Sequence, residues 1–250
     1  MSVKRVDVLG VPVDCVDMES ALSRVEKIIA GNKPQTVLAV NPEKVMFARE
    51  NDMIMRSLKN AGLLIPDGIG VVLAVSLLKR EYISGVPGAD LMPAICSLSA
   101  KKGYRIFLYG ASPKVNEKTV KFIREKYAGI QISGFQHGYI DDANMDHLIH
   151  KINASKTDVL FVALGSPRQE LWMAQYLGQL NIKVCQGVGG TFDVISGEVK
   201  RAPLIFRKAH LEWFYRLMAQ PKRLFRQTAL PRFAWLVFKE WLMRGPRKAS

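Results

Sequence analysis

Asp67 is the carboxylate whose setting most favours chemistry. It follows an apolar run at residues 63–65 and stands between Pro66 and Gly68. Pro fixes the approach of the chain, and Gly lets a ligand come close to the backbone. An Asp at such a strand end can act as general base toward a hydroxyl. It can equally cap a helix over residues 69–78, and spacing alone does not separate the two roles. Four more loops follow apolar runs in the same way. They are Asn41-Pro42-Glu43, Tyr109-Gly110-Ala111-Ser112, Leu164-Gly165-Ser166-Pro167-Arg168-Gln169 and Gly187-Val188-Gly189-Gly190-Thr191-Phe192-Asp193. Several precede a helix N-terminus, where glycine backbone N–H groups can cradle a phosphate. Five such loops together point to a nucleotide ligand, although each glycine could also serve a plain tight turn.

Other chemistries are excluded by what the chain lacks. Phe192 stands where the third glycine of a G-x-G-x-x-G starting at Gly187 would fall, and no P-loop, H-E-x-x-H or G-x-S-x-G occurs. No D-x-D is present, so neutralisation of a diphosphate falls to Arg, Lys and backbone amides rather than to a metal held by paired Asp. His147 and His150 lie three apart on an expected helix with no carboxylate pattern to complete a metal site, and read as solvated surface. Cys15, Cys96 and Cys185 are odd in number and widely spaced, which argues against a disulfide framework or a cysteine zinc site and for a reducing cytoplasm.

These loops need elements to hold them. Strands are expected at residues 6–9, 36–40, 63–65, 105–109, 131–134, 159–164 and 183–186. Helices are expected between them, including one from Pro42 to about Asn60, one capped by Asp90, one from Ser112-Pro113 and one from Pro167 to about Leu180. Such alternation predicts an α/β fold with a mainly parallel sheet and flanking helices, in Rossmann-like halves. From Ala202 the pattern is helical, with one helix ending before Pro221 and a second from about Arg223 to Met243. The expected organisation is a catalytic body over 1–200 and a helical appendage over 201–250. No signal peptide is expected at the N-terminus, and no apolar run approaches the ~18 residues of a spanning helix.

The 250 residues carry a net charge of +14, unevenly distributed. From Lys200 onward 13 Lys and Arg face two acidic residues, a net of +11, so the rest of the chain holds only +3. The same segment has nine of the 22 aromatics, including Trp213, Trp235 and Trp241. Cations mixed with indole rings suit an anionic membrane surface. A nucleic acid and a helix pair packed on the body with a solvated basic face are the rival readings.

Read in order, these loops resemble the WecG/TagA/CpsF glycosyltransferase family. The motifs are Val40-Asn41-Pro42-Glu43, Ile65-Pro66-Asp67-Gly68-Ile69-Gly70, Gly88-Ala89-Asp90-Leu91-Met92, Gly165-Ser166-Pro167-Arg168-Gln169-Glu170 and Gly187 to Asp193. Gly197-Glu198-Val199-Lys200-Arg201-Ala202-Pro203 and Leu211-Glu212-Trp213-Phe214-Tyr215-Arg216-Leu217 follow. The resemblance spans nearly the whole chain. It implies an inverting, metal-independent transferase without cofactor. Such an enzyme moves N-acetylmannosamine or a related sugar from a UDP donor to an undecaprenyl-diphosphate-linked acceptor sugar in cell-surface polysaccharide synthesis. The enzyme would sit peripherally on the inner face of the bacterial plasma membrane, with no nucleic acid as partner; the apolar faces of a detached tail could drive self-association into a homo-oligomer.

Carried over by position, the resemblance makes Asp67 the general base and places Asn41 and Gln169 in the sugar-nucleotide pocket. Gly110, Gly187, Gly189, Gly190 and Asp193 belong to the matching nucleotide loops. Arg216, Arg223 and Arg226 match tail arginines that fold over the site and stabilise the departing diphosphate. Two positions depart from the family pattern: Val40 stands where studied members carry Thr, and Gly85 where they often carry Arg. Two rivals remain. A nucleotide-dependent oxidoreductase would bind NAD(P), and a non-enzymatic basic protein would bind anionic surfaces with steep salt dependence.

Overall fold

The computed structural model describes residues 3–208, 212–219 and 228–244. The chain opens with an antiparallel hairpin of β1 (Arg5–Val8) and β2 (Val11–Asp14). Leu9 and Gly10 turn it with φ of 54° and 88°, the left-handed pair that a two-residue hairpin needs. Six further strands form one parallel sheet: β3 (Gln35–Val40), β4 (Leu63–Pro66), β5 (Arg105–Gly110), β6 (Gln131–Gln136), β7 (Val159–Ala163) and β8 (Val184–Gly187), in the order β4-β3-β8-β7-β5-β6. The hairpin guards the exposed edge at β4: buried Asp14 pairs with Arg5 and accepts from Leu64 N at 2.8 Å, which occupies an edge amide that would otherwise seek another strand.

Strand side chains alternate between two cores, as the period-2 geometry requires. Phe107, Tyr109, Leu160 and Val162 feed the first; Ile106, Leu108, Val159 and Phe161 feed the second. The first core is closed by α2 (Pro42–Glu50), α3 (Asp52–Lys59), α4 (Ile69–Lys79), α7 (Met145–Ala154) and α8 (Arg168–Tyr176). The second is closed by α1 (Met18–Ile29), α5 (Gly88–Lys102), α6 (Pro113–Lys126) and α9 (Thr191–Ile195). The central strands are covered on both faces, which is why their runs read as continuously apolar.

Three local expectations are revised. The helix from Pro42 breaks at Asn51, whose side chain caps α3 by accepting from Ile54 N at 3.1 Å; Asn there offers the chain a turn that a helical period does not reveal. Asp90 does not cap α5, which begins at Gly88 after Pro87. The helix from Pro167 ends at Tyr176 and continues as a short 3₁₀ turn. Beyond the body lie α10 (Leu204–Lys208), α11 (Glu212–Ala219) and α12 (Ala229–Arg244). The helix expected from Arg223 has its first residues outside the described part of the chain. α12 returns to the body and packs on α2 and α4, burying Phe233 and Val237 in the first core.

Candidate active site

The sheet's connections create the cleft. β5 leads to α6 on one face, β7 to α8 on the other, and β8 back to α9 on the first. Neighbouring strands whose chains leave in opposite directions open a crevice beyond their carboxyl ends. Here it is a cleft of about 630 Å³ lined by the exits of β5, β7 and β8, with Arg168, Asp193 and Tyr139 among its side chains. That volume suits a small-molecule ligand.

The expected glycines divide into two groups. Gly189 and Gly190 line the cleft, and a Cβ at Gly189 would meet nothing within 4 Å. Gly110 and Gly187 instead allow close packing. A Cβ on Gly110 would lie 2.5 Å from the Ala163 carbonyl oxygen, and one on Gly187 would lie 2.8 Å from Gln169 Nε2.

Gln169 is buried on α8 with both ends of its amide engaged. Its Oε1 accepts from Gly189 N at 2.9 Å, and its Nε2 donates to Glu170 Oε1 at 2.9 Å. Glu170 in turn accepts from Lys44 Nζ at 2.7 Å, and both charged side chains are almost wholly buried. Burial pushes the Glu170 carboxyl up, but the Lys44 ammonium and hydrogen bonds from Lys44, Gln169 and Ser166 outweigh it and hold the group below the usual carboxylate value. Lys44 lies three residues past Asn41, so this chain of contacts ties the β3 exit to the β7 and β8 exits.

Asp67 stands at the far side of that tie. Its N–H donates to Val40 O at 2.9 Å, and the strand end is closed by Val86 N donating to Pro66 O at 2.7 Å. The residue in the N-cap position of α4 is Gly68, one past Asp67. Asn41 caps α2, its Oδ1 accepting from Lys44 N at 2.8 Å. α12 closes this side: a Cβ on Gly70 would lie 2.7 Å from Pro42 Cγ and 3.8 Å from Phe233 Cε1. Val40 points into the first core and is fully buried.

Of the tail arginines, Arg216 lies on α11, and Arg223 and Arg226 lie outside the described residues. Arg201, where the expected appendage begins, pairs with Asp90 of α5 at 2.6 Å. His147 and His150 stand exposed on α7. Among the described residues no three metal-ligating side chains converge. Cys96 and Cys185 are buried in the sheet and helix core, and burial pushes both thiols up, Cys96 to about 12, so neither is a thiolate nucleophile at neutral pH.

Sequence reasoning missed Lys44, Glu170 and Arg168 as site residues. Lys44 and Glu170 are 126 positions apart, and local spacing carries no sign of their pairing. Arg168 was within reach of that reasoning, as a cation in a glycine loop that opens a helix.

The profile of the glycosyl transferase WecG/TagA/CpsF family matches residues 6–247. Three similar proteins share the name N-acetylglucosaminyldiphosphoundecaprenol N-acetyl-beta-D-mannosaminyltransferase. The one from Bacillus spizizenii is 37% identical over 230 residues, 91% of this chain and 89% of its own. The one from Bacillus subtilis is 36% identical over 232 residues, 92% of this chain and 90% of its own. The one from Staphylococcus aureus MRSA252 is 32% identical over 237 residues, 94% of this chain and 92% of its own.

Proposed function

Because the chain belongs to the WecG/TagA/CpsF glycosyltransferase family, we propose that it transfers N-acetylmannosamine or a related sugar from a UDP donor to the sugar of an undecaprenyl-diphosphate-linked acceptor. The observation that carries this reading is the single activity name shared by relatives matched over nearly their full length. The cleft at the β5, β7 and β8 exits supports it with a site of the right size, open at Gly189 and Gly190.

In this mechanism Asp67 takes the proton of the acceptor hydroxyl as that oxygen attacks the anomeric carbon of the donor. The bond from that carbon to the diphosphate oxygen breaks, the configuration inverts, and UDP leaves with its electron pair. Arg216, Arg223 and Arg226 meet the charge that develops on the diphosphate, and guanidinium groups suit that task because they donate in parallel pairs. Asn41 and Gln169 hold the pocket's shape, and the Gly-rich loop with Asp193 receives the nucleotide. No metal is required in this scheme, since cations and backbone amides answer the phosphate charge.

The division into a body over 1–200 and an appendage over 201–250 gives the tail two tasks: completing the site and docking. No helix among the described residues is long and apolar enough to cross a membrane, yet α12 exposes Trp235, Phe238 and Trp241 in a row of mutually tilted rings with centroids 6.3 and 5.9 Å apart. Aromatic rings beside basic residues favour an anionic interface. The enzyme therefore works peripherally on the inner face of the plasma membrane, where its lipid-borne acceptor lies, and the same apolar surface drives self-association away from lipid.

UDP release tests the reading. Full-length protein is given a short-chain polyprenyl-diphosphate-GlcNAc acceptor with UDP-ManNAc, UDP-ManNAcA, UDP-GlcNAc or UDP-glucose, with EDTA present. Acceptor-dependent release with one donor is the expected result. Release that requires added divalent metal would overturn metal independence, and failure to bind UDP would overturn the donor assignment.

A further inference from the structure

We propose that Arg168, on the body of the protein, grips the donor diphosphate in the cleft, independently of the tail arginines. The inference rests on the UDP-donor reading and names the side chain that recognises the anionic part of that donor.

Three observations carry it. First, the charged side chains lining the cleft, among the described residues, are Arg168 and Asp193. Of these two Arg168 is the cation, so it brings to the cleft the charge that a diphosphate needs. Second, the side chain is anchored across the cleft. Arg168 starts α8, and its Nη2 donates to the Gly138 carbonyl at 3.3 Å, on the loop that follows β6. Gly138, Tyr139 and Arg168 all line the cleft, so this contact holds the guanidinium at the ligand's border. One of its five N–H donors meets Gly138, and a planar fork has others to offer two phosphate oxygens. Third, the backbone around it leaves room. A Cβ at Gly165 or Gly189, both of which line the cleft, would have nothing within 4 Å, so phosphate oxygens can approach the chain there. Arg168 also lies near enough to Tyr109, at the end of β5, to draw its hydroxyl down against the burial that raises it to about 12.

A purely structural role is the competing account: Arg168 would be a strap that holds the Gly138 loop. The two accounts differ in what they do to uridine. A strap shapes the whole cleft and affects uridine and UDP alike, whereas a phosphate grip affects UDP alone. Binding of uridine, UMP and UDP to full-length wild-type and Arg168→Gln proteins, by calorimetry at low salt, separates them. Arg168 is exposed, so the variant keeps its fold, checked by its melting curve. UDP affinity should fall about 10- to 100-fold in Arg168→Gln, as when a charge-assisted pair of hydrogen bonds is lost. Uridine affinity should stay within about two-fold, and Arg168→Lys should recover only part of the loss. An unchanged ratio of UDP to uridine affinity would overturn the grip, whether both stay or both fall. Wild-type protein that binds neither ligand would instead overturn the donor reading on which it rests.

Discussion

The two sides of the site are made of different materials. On the β5, β7 and β8 side, strand exits are fixed by buried polar contacts: Gln169 on Gly189, Glu170 on Gln169, Lys44 on Glu170. On the Asp67 side, the walls are helices α4 and α12, which expose Leu73, Leu77, Trp235, Phe238 and Trp241. The contrast matches the two substrates of the proposed reaction. A soluble nucleotide is best held by preset backbone groups, which cost no reordering. A lipid-borne acceptor arrives from an apolar phase and is best met by apolar helices. Lys44 and Glu170 join the two sides, so their removal should harm both.

Asp67→Asn separates the sides most sharply. Loss of a general base is expected to lower kcat by about 10²- to 10⁴-fold, while UDP affinity stays within about two-fold of wild type. Transfer assays and calorimetry on the same sample check this, and full activity would remove Asp67 from the chemistry. Lys44→Met should instead cost about 3–5 kcal/mol of stability in urea unfolding, because it leaves the Glu170 carboxylate buried without its cation. Replacing both partners, as Lys44→Met with Glu170→Leu, should recover much of that loss, since a buried pair contributes less than its breakage costs. The pair also gives a pH signature. Glu170 is held below its usual value of 4.5, so its stabilising effect is complete well above pH 4.5 and is lost as the pH falls below 4.5, through the native value. Wild-type melting temperature should therefore drop more steeply below pH 4.5 than that of Glu170→Gln.

How much of this was legible in the sequence follows from how local each feature is. Strand exits were legible because Gly, Pro and Asp punctuate apolar runs, and the parallel α/β fold followed from their alternation. The second hairpin strand was not, because Pro12 demotes a strand signal, although an edge position in a two-stranded hairpin tolerates it. Asn51 hid a helix break inside a helical period. The types of the cleft glycines were visible and their tasks were not: Gly110 and Gly189 look alike in sequence, yet one abuts the next strand and the other faces open space. The tie from Lys44 to Glu170 depends on the sheet order, which no local pattern carries.

The glycine contrast gives a smaller pair of effects. Gly110→Ala should cost about 2–4 kcal/mol, since its Cβ would collide with the Ala163 carbonyl at 2.5 Å and the residue sits at φ +120°. Gly189→Ala should cost about 1 kcal/mol, for φ +54° alone, and yet weaken UDP binding more, by placing a methyl in the cleft. Urea unfolding and calorimetry read the two together. If Gly189→Ala binds UDP as well as wild type, the nucleotide does not lie against that loop.

The smallest effect on chemistry and the largest on location should come from α12. Replacing Trp235, Phe238 and Trp241 together by Ala removes a row of rings that is exposed rather than built into the core, so the fold should persist through Phe233 and Val237. Partition onto vesicles containing anionic lipid should fall at least about 10-fold, since each ring contributes on the order of 1 kcal/mol or more when it enters the interface. Transfer to a water-soluble short-chain acceptor should stay within about two-fold of wild type, because the cleft at the β5, β7 and β8 exits is lined by other residues. Co-sedimentation and the UDP-release assay, run on one preparation, give both numbers. Vesicle binding that survives the triple replacement would shift docking to Leu73 and Leu77 on α4, still on the Asp67 side. Loss of soluble activity along with vesicle binding would mean that α12 shapes the site as well as carrying it to the lipid.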